Sequence, residues 1–211
     1  MMRMSGIVRR VASTVLPTKW GAFRTIGFER PPVGRGYAET AIALILDDPT
    51  HRDDPTHEAP LIRIHSQCFT GDVLRSLRCD CGDQLELAMR TIAAEGRGVL
   101  IYEHQEGRGI GLMAKIQAYA LQDTGLDTIA ANHVLGFEAD CRDFSLPVAI
   151  LNDLGIRHVR LLSNNPDKLR ALVLAGIDVV EQIPCEVRPN PHALLYMRVK
   201  KERMGHTLTL L

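Results

Sequence analysis

The chain lacks any apolar run approaching the ~20 residues that cross a bilayer, and its start, Met1 to Leu16, has no uninterrupted apolar core of signal-peptide length. No membrane is expected as a partner. Net charge is lacking too: 25 Lys and Arg offset 25 Asp and Glu. No global field therefore advertises nucleic acid, and a nucleotide would need a local basic cluster. Cysteine is scarce and odd in number, five in all, with three inside the fourteen residues from Cys68 to Cys81. That is no disulfide framework; a metal site in a reduced cytoplasm fits better. Arg3, Arg9 and Arg10 in an acid-free start are one feature of an organellar transit peptide. The segment is short, however, and runs straight into folded-looking sequence.

What is present is 211 residues, 45% of them hydrophobic, enough for one globular domain with a real core. Asp47–Pro60 repeats DDPTH and reads as a surface loop between apolar runs at Ala41–Leu46 and Leu61–His65. His51 and His57 in it read as solvated. Helical spacing predicts helices over Gln84–Glu95, Ile110–Gln122, Leu146–Leu154, Asp167–Ala175 and Pro191–Met204. Strands are expected at Gly98–Tyr102, His158–Leu162 and Ile177–Val180. The expected fold is an α/β domain, a mixed sheet with helices packed on it and a more β-rich N-terminal third. It is expected to span residues 16–211, with residues 1–15 an N-terminal extension of uncertain order.

Cys68, Cys79 and Cys81 stand in HSQCFTGDVLRSLRCDCG. Three soft thiolates suit zinc, and three protein ligands leave a fourth position for water, as catalytic sites require. Two other readings stay open: a structural zinc closed by His65 or another residue, and buried cysteines with no metal. Arg75 and Arg78 are near enough in sequence to offset thiolate charge. Cys141 and Cys185 read as ordinary thiols.

EHQEGRGIGL, Glu103 to Leu112, follows a strand and precedes a helix. Its glycines permit close backbone approach, and Arg108 can clamp a phosphate. Taken alone, the turn reads first as a strand–turn–helix junction whose glycines serve packing. LLSNNPDK, Leu161 to Lys168, repeats the design, with Lys168 in the first helical turn against the macrodipole. An anion would relieve that conflict; a solvent-exposed lysine is the plainer alternative. Asn132–Phe144 is a long polar connection holding Asp140 and Arg142.

Together HSQCFTGDVLRSLRCDCG, QEGRGIGL, ANHVLGFEADCRDF, SNNPDK and KKERMGH resemble, in order and spacing, the motifs of the GTP cyclohydrolase II family. LPTKWGAFR resembles its entry segment. The likeness runs from Leu16 to the C-terminus and is to the single-function form, without the synthase partner often fused to it. It implies a hydrolase of riboflavin biosynthesis that takes GTP and water to a diaminopyrimidinone ribosyl phosphate, formate and pyrophosphate. It implies one zinc per subunit, held by Cys68, Cys79 and Cys81, to activate water against C8 of guanine, and magnesium on the triphosphate. GTP would lie along Arg63, Ile64, His65, Ser66 and Gln67, and touch Gln84, Glu106, Gly107, Arg108, Thr128, Ser163 and Lys168. Tyr119 would assist the second hydrolysis, Asp140 would accept a proton, and Arg142 would be the nucleophile toward the α-phosphorus. A protonated guanidinium is a poor nucleophile, so a charge clamp is the alternative for Arg142. The resemblance also implies a cytoplasmic homodimer.

Gln67 departs from the family's glutamate, and Ser163 from a common threonine. The first change opens two alternatives: a paralogue stopping at a formamidopyrimidine nucleotide, or one serving a secondary pathway. A different class of reading is an inactive nucleotide-binding protein with structural zinc. The H-x-E with P-C-x-x-C signature of zinc deaminases is absent.

Overall fold

The computed structural model describes residues 8–32, 37–46 and 59–211. Most of the polar Asp47–Pro60 stretch, with His51 and His57, lies outside the described residues. Strands β1 (Arg9–Thr18) and β2 (Gly21–Arg30) form an antiparallel hairpin across Lys19 and Trp20. The Thr18 hydroxyl donates to the Gly21 carbonyl at 2.8 Å and accepts from Trp20 N at 3.1 Å. Residues 9–15, set in the extension by the sequence reading, therefore belong to the first strand. The strand stands at the sheet edge and is exposed along nearly its whole length, Val11, Val15 and Leu16 included.

Among the described residues the sheet has seven strands in the order β1-β2-β3-β5-β4-β6-β7. Here β3 is Glu39–Leu46, β4 Leu61–Ser66, β5 Gly98–Glu103, β6 His158–Leu162 and β7 Asp178–Ile183. The β1–β2–β3–β5 pairings are antiparallel; β4 runs parallel to β5 and β6, and β6 to β7. The mixed sheet and β-rich N-terminal third are as expected.

The period of two divides each strand between two cores. Ile26, Phe28, Ala41, Ala43, Ile45, Ile62, Ile64, Val99, Ile101, Val159 and Leu161 face one side. There they meet Leu146, Ile150 and Leu151 of α5 (Ser145–Asp153) and Leu172 of α6 (Pro166–Leu174). Phe23, Leu44, Leu61 and Leu100 face the other side against Ala88, Met89 and Ile92 of α2 (Cys81–Glu95). Each fully buried aliphatic side chain contributes about 1.5–3 kcal/mol.

Helix α2 begins three residues before the expected start, taking Cys81 into its first turn, and ends at Gly96, whose φ of 70° is the left-handed C-cap. α1 is one turn, Phe69–Asp72, and α3 covers Leu112–Asp123. α4 (Thr128–Val134) occupies the start of what reads in sequence as a polar loop; Asp127 caps it by accepting from Ile129 N and Ala130 N. The terminal helix, α7, runs Leu194–Met204, starting later than Pro191.

Helix α2 lies on one face and α5 and α6 on the other, on either side of strand β4, which sits between β5 and β6. Such a switch opens a crevice beyond the carboxyl ends of parallel strands. The segments that leave β4, β5 and β6 there are Gln67–Cys68, His104–Arg108 and Ser163–Lys168.

Candidate active site

At the end of β4 the chain turns sharply into α1, and Asp72 holds the turn. Its Oδ2 accepts from Cys68 N at 3.0 Å and from the Tyr102 hydroxyl at 2.8 Å, and Oδ1 lies 3.1 Å from His65 Nε2. Cys79 and Cys81 arrive from the stretch entering α2. Between them Asp80 accepts from Gln84 Nε2 at 2.5 Å and from Lys200 Nζ at 2.6 Å. The three sulfur atoms lie within 4.8 Å of one another. Gly71 is wedged against them: a Cβ there would come within 2.9 Å of Cys79 Sγ and 3.1 Å of Cys68 Sγ. Lys115 Nζ donates to Cys68 Sγ at 3.1 Å.

Hydrogen bonds from Cys79 and Cys81, with Lys115 beside it, hold the Cys68 thiol far below the usual range. The same sharing with Cys68 pushes Cys79 up to about 11 and raises Cys81 well above the ordinary thiol range. Three converging thiols, two of them buried, are a donor set that fits zinc. His65 does not join them: Nε2 faces Asp72 and Nδ1 lies 3.4 Å from Arg63. The fourth-ligand role considered for it finds no geometric support.

A cleft of about 600 Å3 opens beside the sulfurs, lined by Ser66, Gln67, Glu106, Gly107, Arg108, Tyr119, Thr128 and Arg142 as well. Glu106 braces its wall. Its carboxylate accepts from Phe69 N at 2.6 Å, Gly107 N at 2.9 Å and Lys115 Nζ at 2.8 Å. Gly107 and Arg108 then both take left-handed backbone, with φ of 63° and 61°. That conformation is uncommon for arginine and marks a constrained turn. Arg108 O accepts from Cys141 N at 2.9 Å, which ties this turn to the loop of Asp140 and Arg142. Burial pushes the Tyr119 phenol up to about 12, so it remains a proton donor; its oxygen is 3.4 Å from Thr70 Oγ1.

A second cleft of about 560 Å3 adjoins the first and shares Ser66, Cys81, Arg108, Arg142 and Tyr196 with it. Arg63, His65, Gln84, Ser163 and Lys168 line it further. Lys168 is only 4% exposed, so the exposed-lysine reading is wrong. Its Nζ donates to the Ile64 carbonyl at 2.8 Å, while burial, Arg63 and Arg142 push its pKa well down. Arg142 donates from Nε to Asp140 at 2.9 Å and also pairs through Nη2. Burial opposes its charge, but the Asp140 bonds win and hold it above the ordinary guanidinium range. Arg63 Nε and both terminal nitrogens of Arg108 are buried without a hydrogen-bond partner. Clustered buried cations with unmet donors are costly unless an anion arrives.

The sequence-predicted residues thus converge on two joined clefts, with two differences. Ile64 turns its side chain into the core and offers the site only its carbonyl. Asp140 reaches it through Arg142. Residues missed by the sequence reading are Glu103, Lys115, Tyr196, Lys200 and His206. Glu103 is fully buried and accepts from Ser66 Oγ at 2.6 Å and Gln105 Nε2 at 2.8 Å. Lys115, the one cation in helix α3, carried a usable signal. Of the other three, Lys200 and His206 fall within KKERMGH, a segment likened to a family motif but assigned no role, and Tyr196 on α7 lies outside every motif.

Comparison with known proteins agrees with this architecture. Residues 9–184 match the family model of GTP cyclohydrolase II. The chain is 51% identical over 201 residues to GTP cyclohydrolase-2 of Shigella boydii, covering 95% of this chain and 98% of that one. It is 53% identical over 202 residues to GTP cyclohydrolase-2 of Yersinia pestis, covering 96% and 98%. A solved two-domain 3,4-dihydroxy-2-butanone 4-phosphate synthase from A. baumannii is more distant: TM-score 0.44 and 19% identity, over 84% of this chain and 40% of that one. With most of its length matched and half its residues shared, the chain belongs to the GTP cyclohydrolase II family.

Proposed function

We propose that this chain hydrolyses GTP, opening the imidazole ring with release of formate and pyrophosphate to give 2,5-diamino-6-hydroxy-4-(5-phosphoribosylamino)pyrimidine, the entry to riboflavin biosynthesis. One observation carries the reading beyond kinship: a thiol cluster and a cationic groove share a wall. The base lies toward the sulfurs and the triphosphate toward Arg63, Lys168, Arg108 and Arg142.

Cys68, Cys79 and Cys81 are the residues that would hold zinc. When bound, it supplies the Lewis acidity that makes water a nucleophile near neutral pH. Lys115 offsets thiolate charge, and Asp72 and Asp80 fix the two turns that carry the cysteines. The Tyr119 phenol, protonated at working pH, donates toward the opening ring. Arg142 acts as a charge clamp on the α-phosphoryl group, because its tie to Asp140 strengthens its protonation. Magnesium comes with the triphosphate. The nearby carboxylates Asp140, Glu103 and Glu106 are each engaged by protein donors.

Gln67 lines the first cleft, and Glu103 O accepts its backbone N–H at 2.9 Å. Full turnover is expected despite the missing carboxylate. The outer edge of β1, with Val11 and Val15 exposed, supports a homodimer. No helix among the described residues is long and apolar enough to cross a membrane. The proposed location is the cytoplasm.

The test is to incubate purified protein with GTP, zinc and magnesium and to quantify formate, pyrophosphate and nucleotide product. Equal amounts of all three are expected. Pyrophosphate without formate would favour the altered-product reading tied to Gln67 if the nucleotide is a ring-opened formamidopyrimidine, and would remove the ring chemistry from the proposal if the purine is intact.

A further inference from the structure

The matched family segment ends at residue 184, yet the chain beyond it is built into the clefts. Lys200 reaches Asp80 between the two cysteines, Arg203 pairs with the α4 cap Asp127, and Asn164 exchanges hydrogen bonds with the backbone of Thr207. These three ties set α7 across the joint of the two clefts. There it presents Tyr196, which lines both.

Two cations flank the Tyr196 ring. The Arg108 guanidinium carbon lies 5.3 Å from its centroid, and Lys200 Nζ lies 4.6 Å away. Arg108 rises from a left-handed turn, and its two terminal nitrogens are buried with no hydrogen-bond partner. An aromatic face attracts such a charge but cannot accept its in-plane N–H bonds. The ring therefore holds the guanidinium in place and dry, and leaves its donors for an incoming oxyanion. Lys200 is pinned by Asp80, so the ring is itself backed by a fixed partner.

We infer that Tyr196 is a positioning residue: it stacks on Arg108 and keeps that guanidinium aimed at the phosphates of the bound nucleotide, making the C-terminal helix part of the substrate site. This rests on the GTP reading above for the identity of the nucleotide, but not for the need of an oxyanion.

The experiment compares wild type with Tyr196→Leu and Tyr196→Phe, each loaded with zinc. Binding of guanosine, of the α,β-methylene analogue of GTP and of inorganic tripolyphosphate is followed by calorimetry. Tyr196→Leu is expected to weaken both triphosphates by about tenfold, with guanosine binding and zinc content unchanged. Tyr196→Phe, which keeps the ring, should bind like wild type. Arg108→Gln should then cost little more in the Tyr196→Leu background, because the two act as one unit. Unchanged triphosphate binding in Tyr196→Leu overturns the inference, as does equal loss of guanosine and triphosphate. If Tyr196→Leu does not fold, Arg108→Lys decides: it keeps the charge and gives up the planar stack. Wild-type triphosphate affinity in that variant also overturns the inference. Absence of formate from wild type would sink the GTP reading instead, and the tripolyphosphate arm would still decide this one.

Discussion

Arg142 and Tyr119 carry the most direct tests at the scale of single residues. Under the clamp reading, Arg142→Lys retains charge but loses the two-pronged tie to Asp140 and the planar reach. Pyrophosphate release should fall by about 10²–10³-fold with zinc content intact. Mass spectrometry of the acid-labile adducts in a quenched wild-type reaction should show no nucleotidyl group on Arg142; a nucleotidylated Arg142, formed as pyrophosphate leaves the α-phosphorus, would replace the clamp with a nucleophile. For Tyr119→Phe the ring and its contacts persist while the donor is removed. Formate release should slow by about 10²-fold, and a single-turnover time course reads it directly. An unchanged formate rate would take Tyr119 out of the ring chemistry.

At the scale of elements, the thiol cluster depends on two short turns rather than on long helices. Gly71 sits in the one-turn helix α1 with sulfur on two sides, 2.9 Å and 3.1 Å from where a Cβ would stand. Gly71→Ala must push Cys68 or Cys79 outward. The expected result is at least a tenfold weaker zinc affinity, measured by competition with a chelator, without loss of the sheet's circular dichroism. Retained affinity would mean that the turn yields more easily than its packing suggests. Asp72 presents the opposite case, since it acts through the backbone N–H of Cys68, the Tyr102 hydroxyl and His65 at once. The end of α2 and the start of β5 were legible in sequence because apolar spacing and Gly96 mark them locally. The turn at α1 was not, because its shape is set by Asp72 bonding to His65 of β4 and Tyr102 of β5 as well as to Cys68 N.

Across the whole molecule, the balanced charge of the chain conceals a strongly uneven distribution. Lys200, Arg142, Lys168 and Arg108 all bear on His206, and burial first, then these cations, push its pKa down to about 3. Its unfolded value is near 6.5, so below that pH the unfolded chain binds a proton that the native site resists. Stability from this group is present above about pH 6.5 and is lost as pH falls toward 3. His65 shifts in the same direction, chiefly through burial. We expect about 1–2 kcal/mol of loss from His206 between pH 7.5 and pH 5, seen as a falling thermal midpoint. His206→Gln should flatten that fall. An equally steep decline in the variant would assign the acid sensitivity elsewhere.

The primary structure alone determined the periods, the breaks and the chemistry on offer. Short apolar runs placed the strands, helical spacing the covering helices, and three soft donors in fourteen residues a candidate metal site. Family resemblance then named the positions around it. All of these are properties of neighbours along the chain. What only the tertiary structure decided was who stands beside whom. It turned Ile64 inward because β4 is buried on both faces, and it buried Lys168 rather than leaving it in solvent. It brought Lys115 to a sulfur and Lys200 to Asp80 across 120 positions. Hydrogen bonds and charge act over a few ångströms regardless of sequence separation, and no local pattern records such meetings.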